Sequence, residues 1–222
     1  MERDPQHAVD ALSALGDQTR RRIYDHVCRQ ARPVTREEAA SALGIGRTLA
    51  AYHLDRLAAG GLLAVGYERR SGRTGPGAGR PAKVYERSER ELAVSLPPRD
   101  YGLAARLLAH AASHDEHGAT RRALGEAADS LGRELAAAAP DPPELEPLLR
   151  ERGYEPFHDG DVLRLRNCPF HAVAKSHPEV VCDMNLTLLG GLLAGLGSDE
   201  LEAVLEPGPG RCCVAVRQRT SG

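Results

Sequence analysis

The chain has 222 residues, enough for one large domain or two small ones with separate cores, and shifts in composition along it favour two. Charged residues make up 27%, and no apolar run approaches the roughly 18 residues of a membrane span, which excludes a helical membrane protein. The net charge of −2 hides an uneven distribution: residues 1–100 carry 17 Lys and Arg against 13 Asp and Glu, the remainder is acidic, and the front half is therefore the part suited to a polyanion. The opening MERDPQHAVDAL lacks the pattern of a secretory signal, so a cytoplasmic location is expected. Five cysteines, an odd number, point in a reducing compartment to metal binding or thiol chemistry rather than to stapling.

Asp4-Pro5 supplies a cap and a first-turn proline, and Val9, Leu12 and Leu15 follow at helical spacing. A second helix starts at Asp17 with Ile23 and Val27 as its apolar stripe, and Cys28 reads as a core thiol. Thr35-Arg-Glu-Glu38 has the capping-box form and announces a third helix through Leu43, closed by Gly44-Ile45-Gly46. A fourth runs from about Arg47 to Ala59. It turns Ala50, Leu54 and Leu57 inward and Arg47, Thr48, Ala51, Tyr52 and Arg56 outward.

Two short helices about a glycine turn, the second with a small and polar outer face, form a helix-turn-helix pattern; a plain helical hairpin with a solvated face is the alternative. Short side chains let such a helix enter a major groove about 12 Å wide. Asp55 would be repelled by phosphate there and is expected to turn back toward the protein. Leu62–Val65 and Val84-Tyr85 read as strands flanking RRSGRTGPGAGRPAK, Arg69 to Lys83, a stretch with Arg69, Arg70, Arg73, Arg80 and Lys83 and no acid. A cationic loop between two strands after a helix-turn-helix suits a wing that follows the phosphate backbone or enters the minor groove; a linker is the alternative. Gly79-Arg80-Pro81 is also similar to the core of an AT-hook.

GDQTRRRIYDHV, LAAYHLDRLAAGGLLAVG and GRPAKVYERS resemble the winged-helix bacterial transcriptional regulators of the arsenic-repressor type, over about residues 5–90. The resemblance implies a homodimer that reads a pseudo-palindromic double-stranded DNA operator with the fourth helix in the major groove.

Pro97-Pro98 breaks the chain. Residues 100–139 are alanine-rich and read as helices, with Leu124, Ala128, Leu131 and Leu135 as a seam that packs on the same segment of a second subunit or on Tyr101–Ala112 folded back. His110, His114 and His117 recur at helical spacing, as ligands or as a solvated face. Pro140, Pro142 and Pro143 close the segment. The expected division is thus 1–96 a winged helix, 97–140 a helical dimerisation segment and 141–222 a small α+β cysteine domain, giving an α+β chain.

In the last part, a helix holds Leu145, Leu148 and Leu149, and Val162 to Arg166 alternates as a half-buried strand that ends on Asn167-Cys168. Pro178 opens a helix through Cys182 and Met184 to about Leu196, and a terminal strand pair includes RCCVAVRQR. Adjacent residues of a strand face opposite ways, so only one of Cys212 and Cys213 is expected to join Cys168 and Cys182. No pair has the tight spacing of zinc ribbons, whereas widely spaced cysteines suit an iron–sulfur cluster once a fold gathers them.

NCPFHAVAKSHPEVVCDMN and PGRCCV resemble the C-terminal domain of winged-helix regulators related to the repressors of iron–sulfur cluster assembly operons. That resemblance implies a cluster, 4Fe-4S or 2Fe-2S, on Cys168, Cys182 and one of Cys212 and Cys213, with DNA affinity set by its presence. The pattern carries a further cysteine where this chain has Leu196 and Gly197, which leaves the fourth place to His171, His177, an acid or a small thiol. Zinc on the same residues, a metal-free thiol switch, and a Cys/His or metal-dependent enzyme are the competing readings. The enzyme reading lacks an identifiable acid to orient His171.

Overall fold

The computed structural model describes residues 5–69, 81–92, 94, 100–140 and 143–219, in two compact units, Met1–Arg99 and Asp100–Gly222. Both mix helices with small antiparallel sheets, the expected α+β class.

In the first unit, α1 (Pro5–Ala14) and α2 (Gln18–Arg29) precede β1 (Val34–Thr35), α3 (Arg36–Leu43), α4 (Arg47–Ala59), β2 (Leu63–Glu68) and β3 (Ala82–Arg87). Asp17 caps α2, accepting from the Arg20 amide at 2.8 Å. At α3 the Thr35 hydroxyl accepts from the Glu38 amide while Glu38 accepts from the Thr35 amide, the reciprocal capping box. Gly44 ends α3 in the left-handed region at φ 65°, which a side chain would strain. The sheet order is β1-β3-β2. The two-residue β1 was not expected; Val34 pairs with Tyr85 and Thr35 with Val84, closing the sheet beside α3. Ile23, Val27, Leu54, Leu57, Leu63 and Tyr85 fill the core. The second strand pair is longer than the apolar runs indicated, because Tyr67, Lys83 and Glu86 carry the ladder past the buried residues.

The second unit runs α5 (Tyr101–Ser113), α6 (Ala119–Ala137), α7 (Leu145–Glu151), β4 (Pro156–Asp159), β5 (Val162–Leu165), α8 (His171–Ala174), α9 (Pro178–Gly195), β6 (Leu201–Leu205) and β7 (Val214–Gln218). Its four-stranded sheet has the order β4-β5-β7-β6. β4 was not read from the sequence, since its leading proline looks like a breaker; Gly160, at φ 61°, turns it straight back onto β5. The helical segment and the cysteine region, separate in the sequence reading, share this unit because α6 packs along α9. The seam also differs. Ala128 of the expected seam is buried with Gly132 and Ala136, and Leu135 packs against the core, whereas Leu131 is 47% exposed. Within the chain α6 packs on α9: a Cβ on Gly132 would lie 2.6 Å from the Leu192 amide nitrogen, and one on Gly191 2.9 Å from Asp129 Cα. Only glycines allow backbones so close, and the chosen leucines missed them because apolar size, not smallness, sets a periodicity reading.

Candidate nucleic-acid interface and sulfur site

Helix α4 is anchored by Ala50, Leu54 and Leu57, each fully buried, and by His53, whose Nδ1 accepts from Arg20 Nε of α2 at 3.4 Å. His53 was not singled out in the sequence. With that side fixed, Arg47, Thr48, Tyr52 and Arg56 are exposed, Tyr52 by 55%, and Ala51 is half-buried among them. Arg47 forms an ion pair with Glu37 of α3 at 2.7 Å, which aims it across the turn between the two helices.

Asp55 does turn back. Its Oδ1 accepts from Lys83 Nζ at 2.5 Å and from the Tyr85 hydroxyl at 2.7 Å, pinning α4 to β3. The Lys83 hydrogen bond, with that of Tyr85, holds the Asp55 carboxyl below its ordinary range against the effect of burial. Burial and Asp55 push the Tyr85 hydroxyl up to about 12, so it stays a donor. Lys83, expected on the wing as a phosphate contact, thus spends its charge on Asp55. Arg69 is exposed just after β2; Arg70, Arg73 and, from the Gly79-Arg80-Pro81 triplet, Gly79 and Arg80 lie outside the described residues.

Residues 15–66, from the end of α1 into β2, match a family model described as a helix-turn-helix domain. This stretch of the first unit is therefore similar to a helix-turn-helix domain, which supports a DNA-binding transcriptional regulator. No curated protein and no solved structure matches the chain. No helix among the described residues is long and apolar enough to cross a membrane.

In the second unit the fold gathers four of the five cysteines. Cys168 follows β5, Cys182 lies in the second turn of α9, and Cys212 and Cys213 occupy the turn before β7. The terminal pair precedes the strand rather than lying in it, and both members are used. The Cys212 amide donates to the Leu165 carbonyl at 2.8 Å, which brings this turn against the end of β5. Cys213 is joined to Cys182 by a disulfide with a Cα–Cα separation of 6.5 Å. Cys212, 4% exposed, has the Cys168 thiol beside it. Their interaction holds Cys212 below the ordinary thiol range although burial opposes it, and with burial it pushes Cys168 up. Cys28 is half-buried on α2, in the other unit.

Cys212 has a second donor: Asn185 Nδ2 of α9 points at its sulfur from 3.4 Å, and Asn185 Oδ1 accepts from the Tyr154 hydroxyl at 2.5 Å. Asn185 is 1% and Tyr154 3% exposed. Nothing in the spacing of the sequence marked them, because an Asn in a helix and a Tyr after a helix carry no periodic signal.

The His171 amide donates to the Cys168 carbonyl at 3.0 Å. His171 is exposed at the start of α8, and His177 caps α9 with its Nδ1 3.3 Å from Ser113 Oγ and its ring 5.9 Å from that of His110. The rings of His110 and His114 are 4.2 Å apart, and the His117 amide donates to Asp115 in the following turn.

Four cysteine sulfurs are the donors a soft metal or an iron–sulfur cluster takes. Among the described residues no group of three or more His, Cys, Asp and Glu side chains is placed to hold a metal ion; Cys182 and Cys213 are joined, and Cys168 and Cys212 are free thiols.

Proposed function

We propose that this protein is a transcriptional regulator, acting as a repressor, whose affinity for a double-stranded DNA operator is set by the chemical state of Cys168, Cys182, Cys212 and Cys213. The helix-turn-helix match over residues 15–66, with α4 presenting Arg47, Thr48, Ala51, Tyr52 and Arg56 on one exposed side, carries the DNA-binding part. Arg69, Arg70, Arg73 and Arg80 supply sequence-independent phosphate contacts from the wing. The regulator is a homodimer in this reading, supported by α5, which exposes Tyr101, Leu103, Leu107 and Leu108, an apolar set that a lone chain leaves in water.

Control runs through thiol–disulfide chemistry. Forming the Cys182–Cys213 bond releases two protons and two electrons to an oxidant such as a peroxide, and a small dithiol reverses it. The bond joins α9 to the turn before β7, so its state decides whether that turn can leave the helix. A few kcal/mol of difference between the two states is enough to shift a DNA-binding equilibrium.

A second reading is an iron–sulfur cluster, or zinc, on the same four cysteines, supported by the resemblance of NCPFHAVAKSHPEVVCDMN and PGRCCV and by the convergence of four sulfurs from distant points of the chain; it requires the Cys182–Cys213 bond to be open. Iron, sulfide and zinc analysis with a visible spectrum of oxygen-free protein separates the two: metal-free protein supports the thiol switch, and stoichiometric metal with visible absorbance supports the second reading. Duplexes selected from a random pool should bind with a steep salt dependence that shortening Arg69 to Lys83 reduces. Failure to select any duplex would remove the regulator reading altogether.

A further inference from the structure

Between α9 and β7 the apolar core of the second unit is interrupted by one polar chain of contacts: the Tyr154 hydroxyl to Asn185 Oδ1, and Asn185 Nδ2 to Cys212 Sγ. A buried side-chain amide is costly unless both ends are satisfied, and here one end is satisfied by a sulfur. The order is fixed from the far end. The Tyr154 hydroxyl donates to the oxygen of Asn185, and the NH2 group is the end that faces Cys212. The Cys212 sulfur then receives the Asn185 hydrogen bond with the Cys168 thiol beside it.

We propose that Asn185, oriented by Tyr154, is a positioning residue of the sulfur site: its N–H holds Cys212 as an acceptor beside Cys168 and thereby sets the redox poise of that pair. The inference rests on the thiol-switch reading above. A hydrogen bond of this kind stabilises an electron-rich sulfur more than a disulfide sulfur, so it favours the reduced pair. When Cys168 and Cys212 are oxidised by glutathione disulfide, one S–S bond forms as another breaks, and two glutathione thiols leave with the two protons and two electrons. Cys182 and Cys213, which Asn185 does not touch in the described contacts, serve as the internal reference.

The test is redox titration of the full chain in glutathione buffers, with each cysteine's state read by alkylation and mass spectrometry. Asn185→Leu, which keeps the volume and removes the donor, should raise the equilibrium constant for Cys168–Cys212 oxidation about ten-fold, equivalent to about 30 mV toward more negative potential, and move the Cys182–Cys213 couple several-fold less. Tyr154→Phe leaves the amide but frees it to turn, and should give a shift in the same direction of about three-fold; it also carries the test should the leucine variant fail to fold. Equal potentials in wild type and either folded variant, or equal shifts in both couples, would overturn the assignment. Because wild-type redox-dependent DNA binding is measured alongside, loss of that dependence sinks the switch itself, whereas its persistence with an unmoved potential sinks only the role of Asn185.

Discussion

Replacing Gly132 by alanine tests the packing that presents α9 to the sulfur site. In an isolated helix the change is favourable by about 1 kcal/mol, because glycine is the poorer helix former. Here the added Cβ would sit 2.6 Å from the Leu192 amide nitrogen and 2.9 Å from Gly191 C, where ordinary contact begins at 3.4 Å. Both neighbours are backbone, so no side chain can swing away and the helices must part by close to an ångström. Overpacking of this kind costs about 1–3 kcal/mol, and a gap of about 0.5–1 Å forfeits a quarter to a half of each contact along the seam. We expect a net destabilisation of about 2 kcal/mol. Gly125 lies on the same helix with nothing within 4 Å of its would-be Cβ, so Gly125→Ala should stabilise by about 0.5–1 kcal/mol. Thermal unfolding of the full chain followed by circular dichroism reads the contrast, about 10 °C between the two variants at this domain size. Equal melting temperatures would refute the close glycine crossing, since propensity alone acts identically at both positions.

Removing exposed recognition side chains should weaken DNA binding without unfolding the protein. Tyr52→Ala and Arg56→Ala are each expected to lower duplex affinity by about ten-fold or more in fluorescence anisotropy, with the melting temperature unchanged. Asp55→Asn should alter the acid side of the stability profile. Because the folded-state carboxyl is held below its ordinary 3.8, its contribution is present above that value and lost as pH falls further; urea titrations at pH 7 and pH 3 should therefore show a smaller acid loss in the variant than in wild type. The effect is modest, as Asp55 is 54% exposed and its pair is screened by solvent. Leu54→Ala, at a fully buried site on the inner side of α4, should cost about 2–5 kcal/mol by the same titration and abolish duplex binding.

Much of the first unit was legible because its signals are local. The capping box at Thr35 and Glu38, the left-handed Gly44 and the inward trio on α4 are written within one or two turns of chain. Asp55 was legible for a different reason: a carboxylate on a phosphate-facing helix needs a partner, and Lys83 and Tyr85 supply it. What escaped was non-local. β1 exists only because β3 returns to pair with it, and the α6 seam depends on glycines meeting glycines of a helix nearly sixty residues away. At the sulfur site, spacing picked out the cysteines. It missed that a turn before β7, rather than the strand itself, lets Cys212 and Cys213 each find a different thiol, and it missed the Tyr154–Asn185 contact that a buried amide needs.

The central claim is that the state of the sulfurs governs the grip on DNA. The most direct measurement is the affinity of the full chain for its selected duplex at fixed salt, with the protein fully reduced and then with the Cys182–Cys213 bond formed, each state verified by mass. At least a ten-fold difference is expected, and it should disappear in Cys182→Ser. Identical affinities in the two verified states, metal-free, would contradict it.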